Sequence, residues 1–487
     1  MTSPLSALVA REGLAVDPQI AGVTADSRQV RPGWLFAALP GSAADGRAFI
    51  PRAIEAGAAA IIAEPDTPDQ PVPLVRSHDP RRLYALAARA FWDAEPEVIV
   101  AVTGTNGKTS VATFCRQVFA RLGHVAASMG TLGLQLEHPG GEVEALTPPG
   151  LTTPDAAEVA RWAAELAGRD VTRLALEASS HGLDQRRLDG LTLRAAGFTN
   201  LSQDHLDYHA SMDAYRTAKL RLFEALLPRG ASAVLNADAA DFPAFAAAAV
   251  THGQAVLSVG EAGQGVRLLA RAPTSDGQRL TVQASGGEPT TVRLPLAGAF
   301  QASNALVAAG LCIAAGEDAA SVLAALEHLQ GAAGRLQRVG TGSGRGEAYV
   351  DYAHTPDGLR TVLQALRPHT RGRLIVVLGA GGDRDRAKRP LMGAAAAELA
   401  DLALVTDDNP RSEDPASIRA AVLQGCPGAI EVGDRRAAIR AAVEQLREGD
   451  VLVVAGKGHE QGQTVAGVIH PFDDVTEVRA ALESVRG

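Results

Sequence analysis

The stretch AVTGTNGKTSVATF, residues 101–114, decides the fold because it joins a buried strand to a helix through a glycine turn. The apolar run EVIVAVTG at 97–104 is typical of a buried parallel strand. Beyond the turn, apolar residues recur at spacings of three, four and seven from Val111 to Leu122 and predict an amphipathic helix that stops at Gly123. This order indicates an α/β fold with a phosphate-binding loop.

The loop is shorter than the common P-loop, in which four residues separate the first glycine from Gly-Lys-Ser/Thr. Gly107, Lys108 and Thr109 are in place, but Val102 stands where the first glycine belongs and Gly104 is too close. The shorter loop is still suited to bind phosphate, because free N–H groups and the positive end of the helix dipole favour an anion. The lysine adds charge, and the threonine hydroxyl can ligate Mg²⁺. A glycine-rich turn with an exposed lysine is the less favoured alternative.

Composition sets broad bounds on the function. The 487 residues carry a net charge of −9, with 46% hydrophobic and 21% charged residues, and predict two to four globular domains. No long basic run is present, which argues against nucleic acid as the main partner. The three cysteines, Cys115, Cys312 and Cys426, are far apart and indicate free thiols in a reducing compartment rather than disulfides or a zinc knuckle.

The N-terminal segment lacks the basic and apolar regions of a signal peptide. No uninterrupted apolar run reaches the ~20 residues of a membrane-spanning helix. We therefore expect a cytoplasmic protein without a membrane span, and a monomer.

Alternating strand and helix patterns predict an α/β fold of three domains. We expect a small N-terminal α/β domain at 1–95, a central parallel-sheet ATPase domain at 96–333, and a Rossmann-like α/β domain at 334–487. The predicted strands are 33–39, 58–64, 97–104, 172–178, 193–201, 231–238, 348–354, 373–382, 401–410 and 450–460, and the predicted helices include 48–57 and 301–316. The segment 255–296 is rich in β-type residues.

Polar side chains follow two strands of the predicted central sheet. Glu177 ends one strand, where a carboxylate can hold Mg²⁺ against phosphate, although a solvated strand-end glutamate is a fair alternative. Asp204, His205, Asp207 and His209 follow another strand and are suited to metal binding or acid–base chemistry. His209 alone carries little weight, because surface histidines are common.

Seven motifs together resemble the Mur ligase family, in the right order and over nearly the whole chain. They are TGTNGKT (103–109), EASSHGL (177–183), TNLSQDHLDYH (199–209), DYAHTPDGL (351–359), GGDRDRAKRPLMG (381–393), TDDNPR (406–411) and AGKGHE (455–460). The resemblance implies an ATP-dependent ligase of peptidoglycan synthesis. The γ-phosphate passes to the D-glutamyl side-chain carboxylate of a UDP-N-acetylmuramoyl dipeptide, and the amine of a diamino acid attacks the resulting acyl phosphate.

The resemblance also implies an ATP and magnesium site. The phosphate-binding residues are Gly104, Thr105, Asn106, Gly107, Lys108, Thr109 and Ser110. Asn304, Arg335 and Asp351 match nucleotide-side positions, and Gln301 stands where the family usually has asparagine. The implied magnesium ligands are Thr109, Glu177, His205 and Lys219. Lys219 matches a lysine that the family carbamylates. Lys108, Lys219, His205 and Glu177 are the implied catalytic residues. Without the resemblance, Lys219 would be an ordinary helix lysine.

The implied contacts to the nucleotide sugar are hydroxyl, amide and guanidinium groups, which suit a pyrophosphate and a carboxylate. They come from Ser27, Thr152, Thr153, Ser179, Gln185 and Arg187. The family often has His-Gln where Ser42 and Ala43 stand, so uracil binding is not carried over to these two positions.

The third domain is expected to select the amino acid. The implied binding residues are Arg389, Asp408, Asn409, Pro410, Arg411, Gly456 and Glu460. The Arg411 fork suits the distal carboxylate of meso-diaminopimelate, and Glu460 suits an ammonium. A turn-capping or surface arginine is the alternative for Arg411. Lysine and ornithine, which lack that carboxylate, remain open as substrates.

Three rival functions are compatible with parts of the sequence. A folylpolyglutamate-type ligase shares the short loop but not the run DDNPR…GKGHE. A P-loop switch would hydrolyse nucleotide without an acceptor, and a scaffold would keep the loop without activity. The segment LGAGGDRD (378–385) lacks the third glycine of a dinucleotide turn and carries two aspartates, which excludes NAD as its ligand.

Overall fold

The computed structural model describes residues 2–10, 16–41, 45–204, 208–274, 276–341 and 346–485. The chain divides into two compact units. Unit 1 comprises Met1–Arg267 and Leu306–Val322, and unit 2 comprises Leu268–Ala305 and Leu323–Gly487. Among the described residues, no helix combines the length and the apolar character needed to cross a membrane. The three cysteines are free and buried.

Unit 1 begins with a small four-stranded parallel sheet in the order β3-β4-β5-β6. The elements are β1 (Ser3–Pro4), α1 (Leu5–Leu8), β2 (Gln19–Ile20), β3 (Gly22–Thr24), β4 (Trp34–Ala37), α2 (Ile50–Glu55), β5 (Ala60–Ala63), β6 (Leu74–Arg76) and α3 (Pro80–Trp92). The predicted strands at 33–39 and 58–64 and the helix between them are confirmed as β4, β5 and α2. The Asp79 side chain caps α3 by accepting from the Arg82 N–H.

The central sheet of unit 1 contains the glycine loop. Its elements are β7 (Val98–Thr103), α4 (Lys108–Arg121), β8 (Ala126–Gly130), β9 (Gly133–Glu137), β10 (Val143–Ala145), α5 (Ala156–Ala167), β11 (Arg173–Glu177), α6 (Ser180–Asp184), β12 (Ala195–Phe198), α7 (Met212–Arg221), β13 (Ser232–Asn236), α8 (Phe242–Thr251) and β14 (Ala255–Gly260). The order is β10-β9-β8-β11-β7-β12-β13-β14, followed by the first residues of β15. Neighbouring strands in the run β8-β11-β7-β12-β13-β14 are parallel. In contrast, β9 is antiparallel to β8, and β10 is antiparallel to β9.

The register of this sheet brings three strand ends together. Glu177, the last residue of β11, lies opposite Val102 of β7, and Phe198, the last residue of β12, lies opposite Thr103. Because the carboxyl ends of parallel strands meet at one edge, the residues that follow these strands surround the glycine loop.

The chain crosses from unit 1 to unit 2 within β15, returns to unit 1 within α9, and enters unit 2 again within α10. The elements that follow β14 are β15 (Val266–Thr274), β16 (Gly277–Ala284), β17 (Thr290–Leu294), α9 (Ala299–Ala314), α10 (Ala319–Ala325), β18 (Gln337–Thr341), β19 (Glu347–Asp351), α11 (Pro356–Leu366), β20 (Leu374–Leu378), α12 (Lys388–Leu399), β21 (Leu402–Val405), α13 (Pro415–Leu423), β22 (Ile430–Glu431), α14 (Arg435–Glu444), β23 (Val451–Ala455), β24 (Gly462–Val465), β25 (Val468–Pro471) and α15 (Asp474–Ser484).

Unit 2 contains a six-stranded sheet in the order β18-β19-β23-β20-β21-β22, parallel except for β18. Along β20, Val376 packs into one apolar cluster and its neighbours Ile375 and Val377 pack into another. The sheet is therefore covered on both faces, and its mostly parallel strands confirm the α/β fold predicted for the C-terminal region.

Candidate active site

The glycine loop connects β7 to α4 and is held by backbone constraints that only glycine meets. Gly104 has a φ of +149° and Gly107 a φ of +89°. A side chain on Gly104 would clash with the Thr199 hydroxyl. The loop N–H groups of Thr105 and Asn106 donate to the backbone and side-chain oxygens of Asn200, at 2.8 and 3.0 Å. The segment after β12 therefore fixes the loop conformation.

Two lysines hold the same loop carbonyl. Lys108 Nζ donates to the oxygens of Gly104 and Thr105 at 2.8 and 2.9 Å. Lys219 Nζ, from α7, donates to the Gly104 oxygen at 2.7 Å and lies 4.4 Å from the Tyr215 ring centroid. The Lys219 side chain is 1% exposed. Burial, with the Lys108 charge nearby, lowers the pKa of Lys219 well below its ordinary value.

The predicted pair Thr109 and Glu177 is brought together. Thr109 Oγ1, in the first turn of α4, donates to Glu177 Oε2 at 2.9 Å. The Thr131 N–H donates to Glu177 Oε1 at 2.8 Å. The carboxylate lies over Gly130, where any side chain would clash with it. Thr131 was not predicted, because β8 consists of small residues with weak strand character.

The predicted cluster after β12 is only partly described. His205 and Asp207 lie outside the described residues. Asp204 is exposed, and the His209 ring packs among aromatic rings, 5.2 Å from Tyr215 and 4.8 Å from Tyr208. Among the described residues, no group of three or more His, Cys, Asp or Glu side chains is arranged to hold a metal ion.

Five of the residues predicted to bind the nucleotide sugar form one hydrogen-bonded network in unit 1. Its members are Thr152, Thr153, Ser179, Gln185 and Arg187. Thr152 Oγ1 lies 3.0 Å from Thr131 Oγ1, and Thr153 Oγ1 lies 2.9 Å from Ser179 Oγ and donates to the Glu177 carbonyl.

Arg187 links the remaining members of this network. Its two terminal nitrogens donate to the Thr153 carbonyl at 2.6 Å and to Gln185 Oε1 at 2.7 Å. Burial lowers the pKa of Arg187. Ser27 instead lines a cavity of about 710 Å³, together with Trp34, Arg52 and Arg161 among others.

Within unit 2, the nucleotide-side residues are also brought together. Gln301 Nε2 donates to the Arg335 carbonyl at 2.9 Å, and Asn304 Nδ2 donates to Gln301 Oε1 at 3.2 Å. The Arg335 guanidinium lies 4.8 Å from the Tyr352 ring centroid. Asp351 accepts from the N–H groups of Leu336 and Ala353, and burial raises the pKa of Asp351 to about 6.

The DDNPR segment forms a loop after β21 that β24 holds in place. Arg411 has a φ of +53°, which is unusual for a residue with a side chain. Its N–H donates to the Thr464 carbonyl at 2.9 Å, and its carbonyl accepts from the Ala466 N–H at 2.7 Å. Arg411 Nη1 donates to the Gly382 carbonyl at 2.7 Å. The Arg411 guanidinium lies over Gly381, where an added Cβ would come within 2.8 Å of Arg411 Nη1.

Gly381 and Gly382 of LGAGGDRD lie where the chain packs closely against the DDNPR loop. A side chain on Gly382 would clash with the Pro410 carbonyl.

The other predicted residues of this region have charged neighbours. Arg389 is 3% exposed and forms a bidentate ion pair with Glu413, with nitrogen–oxygen distances of 2.8 and 3.1 Å. The hydrogen bonds from Arg389 lower the pKa of Glu413 to about 2. Asp408 is buried beneath Gly456, where a side chain would clash with its carboxylate. Glu413 was not predicted, because an acid in a polar loop carries no signal of its partner.

Asn409 and Glu460 are directly bonded. Asn409 Nδ2 donates to Glu460 Oε2 at 2.8 Å. The sequence placed both in the amino-acid site, and the structure brings them together at the carboxyl ends of β21 and β23. Lys457 also contacts both of these side chains. It lies within the GKGHE motif, but no role was predicted for it.

A parallel sheet, a glycine loop at the start of a helix, an adjacent lysine and a strand-end carboxylate define a phosphate-binding α/β protein of the nucleotide-dependent class. Family models agree over most of the chain. The model described as Mur ligase family, catalytic domain, matches residues 19–97; the Mur ligase middle domain matches 102–312; and the Mur ligase, glutamate ligase domain, matches 334–458. The chain belongs to the Mur ligase family and is accordingly an ATP-dependent ligase.

Curated relatives cover the full length of the chain. It is 70% identical over 486 residues to the UDP-N-acetylmuramoyl-L-alanyl-D-glutamate–2,6-diaminopimelate ligase of Caulobacter vibrioides, covering 100% of both chains. It is 53% identical over 479 residues to the protein of the same name from Bradyrhizobium diazoefficiens, covering 96% of this chain and 97% of the relative.

Solved structures agree with this placement. A structure of a UDP-N-acetylmuramoyl-L-alanyl-D-glutamate–2,6-diaminopimelate ligase matches with a TM-score of 0.76 at 34% identity and covers 100% of both chains. A Mycobacterium tuberculosis folylpolyglutamate synthase complexed with ADP matches with a TM-score of 0.61 at 20% identity, over 84% of this chain and 94% of the synthase. The second likeness shows a shared fold alone.

Proposed function

We propose that this protein is the ATP-dependent ligase that joins meso-diaminopimelate to the D-glutamyl side-chain carboxylate of UDP-N-acetylmuramoyl-L-Ala-D-Glu, in peptidoglycan synthesis. The observation that carries the proposal is the 70% identity over 486 residues with a ligase named for this reaction. The geometry of the glycine loop and of the DDNPR loop supports it independently.

The reaction needs a carboxylate to be activated before an amine can attack it. Transfer of the γ-phosphate to the D-glutamyl carboxylate gives an acyl phosphate and releases ADP. Attack by the amine then gives an amide and releases phosphate and a proton. Such chemistry depends on positioning and on neutralisation of charge, with no protein nucleophile required. In unit 1, Lys108 and the helix start at Gly107 supply that neutralisation for the phosphates, with the rest of Gly104–Ser110 as the binding loop.

The residues at the loop fit a magnesium ion. Thr109 Oγ1 and Glu177 Oε2 are oxygen atoms only 2.9 Å apart, and oxygen is the ligand atom that magnesium prefers. We assign magnesium to these two residues, and retain His205 as a third candidate. When bound, magnesium neutralises developing charge on the phosphate oxygens. Few protein ligands are needed, because magnesium keeps substrate phosphates and waters in its shell.

Lys219 fits carbamylation. Its burial and its depressed pKa favour the neutral amine, and only the neutral amine reacts with CO₂. The product is a carbamate with the charge of a carboxylate, formed with release of one proton. We therefore propose that Lys219 is carbamylated and contributes to the magnesium site.

The remaining assignments are residue-level proposals. In unit 1, the network of Thr152, Thr153, Ser179, Gln185 and Arg187 and the cavity at Ser27 bind the UDP-sugar dipeptide. In unit 2, Asn304, Arg335 and Asp351 serve the nucleoside of ATP. The proposed amino-acid-binding residues are Arg389, Asp408, Asn409, Pro410, Arg411, Gly456 and Glu460.

The choice of diaminopimelate rests on the Arg411 fork. Arg411 Nη1 donates to the Gly382 carbonyl, and the Arg411 charge also interacts with the Asp383 carboxylate. A guanidinium held by its backbone in a fixed loop is suited to bind a distal carboxylate bidentately. Arg389, in contrast, is already paired with the Glu413 carboxylate.

The domain boundaries 1–95, 96–333 and 334–487 are proposed as the nucleotide-sugar, ATP and amino-acid domains. We also propose a monomer that acts in the cytoplasm, where ATP and nucleotide-linked sugars are made.

The test is acceptor-dependent ADP release. Purified protein with ATP, Mg²⁺ and bicarbonate releases ADP over many turnovers only when the UDP-muramoyl dipeptide and meso-diaminopimelate are both present. Continued ADP release in the absence of an amino acid would instead identify a P-loop hydrolase. Lys108→Ala abolishes turnover, and intact turnover in that variant would overturn the nucleotide-site assignment.

A further inference from the structure

Lys457 is a fully buried lysine in the loop that follows β23. Its side chain is 0% exposed. Lys457 Nζ donates to Asn409 Oδ1 at 3.0 Å and lies 3.3 Å from Glu460 Oε2. A buried ammonium is costly unless it is paired and hydrogen-bonded, so these two contacts hold the side chain in place.

Lys457, Asn409 and Glu460 form a closed triangle. Asn409 Nδ2 donates to Glu460 Oε2 at 2.8 Å, and Asn409 Oδ1 also accepts from the Thr464 N–H of β24 at 2.9 Å. With donors on its oxygen and a carboxylate on its nitrogen, the Asn409 amide has one satisfactory orientation. The Glu460 side chain remains 35% exposed, so a bound ammonium can reach its carboxylate.

The composition sets Lys457 apart. The chain has only four lysines among its 46 lysine and arginine residues. Two of them, Lys108 and Lys219, donate to the glycine loop, and a third, Lys388, is half-buried. The Lys457 site offers two acceptor atoms in a closed space, which suits the compact ammonium of lysine better than the five-donor fork of arginine.

We propose that Lys457 is a positioning residue for the incoming amino acid: it fixes the Glu460 carboxylate and the Asn409 amide in the orientation that receives the amino-acid head group. The inference rests on the proposed function. Ordering these groups before the substrate arrives removes part of the entropy cost of binding, so the effect falls on the amino acid and not on ATP.

The first test compares Lys457→Met with Arg440→Met, a control that removes an exposed cation from α14 of the same unit. The methionine at 457 keeps the length of the side chain and removes its charge. We expect the KM for diaminopimelate to rise about tenfold or more, because hydrogen bonds to charged groups are lost. The KM values for ATP and for the UDP-dipeptide stay within about twofold, as expected for independent sites. An unchanged diaminopimelate KM, or an equal rise in all three, overturns the proposal.

A double-mutant cycle tests whether Lys457 acts through Glu460. If it does, Glu460→Gln and Lys457→Met combined raise the diaminopimelate KM by less than the product of their separate effects. Multiplicative effects would show that the two residues act independently and would contradict the triangle.

A binding measurement on the wild-type protein decides the matter if Lys457→Met does not fold. Protein labelled with ¹⁵N at lysine Nζ contains only four such sites. The variants Lys108→Arg, Lys219→Arg and Lys388→Arg identify the other three, which leaves the fourth as Lys457. A buried, hydrogen-bonded ammonium exchanges slowly, and we expect its resonance to shift when diaminopimelate saturates the protein. No shift at saturation would refute the role of Lys457.

The proposed function and the role of Lys457 can be refuted separately. If wild-type protein releases ADP continuously without an amino acid, the proposed function is wrong. If wild-type turnover depends on the amino acid but Lys457→Met leaves its KM unchanged, only the role of Lys457 is wrong.

Discussion

Thr109 Oγ1 donates a hydrogen bond of 2.9 Å to Glu177 Oε2 and so joins the glycine loop of one strand to the end of its neighbour. The sheet register makes this contact inevitable, because β7 and β11 are adjacent, parallel and end together. A hydroxyl and a carboxylate at the phosphate end of the loop form the described part of the proposed magnesium site.

Loss of the Glu177 charge tests this pair. Glu177→Gln keeps the shape of the side chain but removes the charge of a proposed magnesium ligand. We expect the Mg²⁺ concentration for half-maximal turnover to rise about a hundredfold or more, given that even supporting residues of metal sites cost 10–100-fold. The measurement is a magnesium titration of ADP release, with Glu137→Gln as a control carboxylate of the same sheet. An unchanged magnesium requirement in Glu177→Gln would place the ion elsewhere.

If Lys219 is carbamylated, the protein should show a ¹³C resonance from the carbamate carbon. After incubation with ¹³C-bicarbonate, the protein should show one carbamate resonance that is absent from Lys219→Arg and present in Lys388→Arg. Burial lowers the pKa of Lys219 and so favours the neutral amine that reacts with CO₂. As pH falls through that pKa, the amine gains a proton and the carbamate signal should fade. A resonance that persists in Lys219→Arg would assign the carbamate to another residue.

Selectivity for the amino acid should depend on Arg411. Arg411→Ala removes the fork that is proposed to bind the distal carboxylate. We expect the KM for diaminopimelate to rise between about tenfold and a hundredfold, the range of a lost charged hydrogen bond. Any turnover of L-lysine should change little, because lysine lacks that carboxylate. Parallel losses for both amino acids would show that Arg411 only maintains the loop.

A buried ion pair gives a stability prediction. Arg435 and Asp474, at the starts of α14 and α15, are both 0% exposed and 2.7 Å apart. Arg435→Met leaves a buried charge without its partner and should lower the free energy of unfolding by about 3–5 kcal/mol. The neighbouring pair Arg436 and Glu477 joins the same two helices at the surface, so Arg436→Met should cost less than about 1 kcal/mol.

Urea denaturation of the two variants makes the comparison. The double variant Arg435→Met/Asp474→Leu should recover most of the loss, because an apolar pair needs no charge compensation. Equal destabilisation by Arg435→Met and Arg436→Met would contradict the distinction between buried and exposed pairs.

The sequence predicted those parts of the fold in which local signals agree. The strand, loop and helix around Lys108 were confirmed because apolar runs, glycine and periodicity all indicate one arrangement. The antiparallel β8–β9 hairpin was missed, since its Ala, Ser and Gly residues have weak strand character. The pairing of Thr109 with Glu177 was expected from strand ends. The contacts of Glu413, Thr131 and Lys457 depend on tertiary approach and have no local signature.

The most direct measurement of the central claim is the product mass from one reaction that offers meso-diaminopimelate, L-lysine and L-ornithine together at equal concentration. The reaction contains ATP, Mg²⁺, bicarbonate and UDP-N-acetylmuramoyl-L-Ala-D-Glu. We predict a single UDP-muramoyl tripeptide with the mass of the diaminopimelate product, formed with one ADP per amide. A lysine or ornithine product would contradict the assignment of the DDNPR loop, and the absence of any tripeptide from folded protein would contradict the ligase itself.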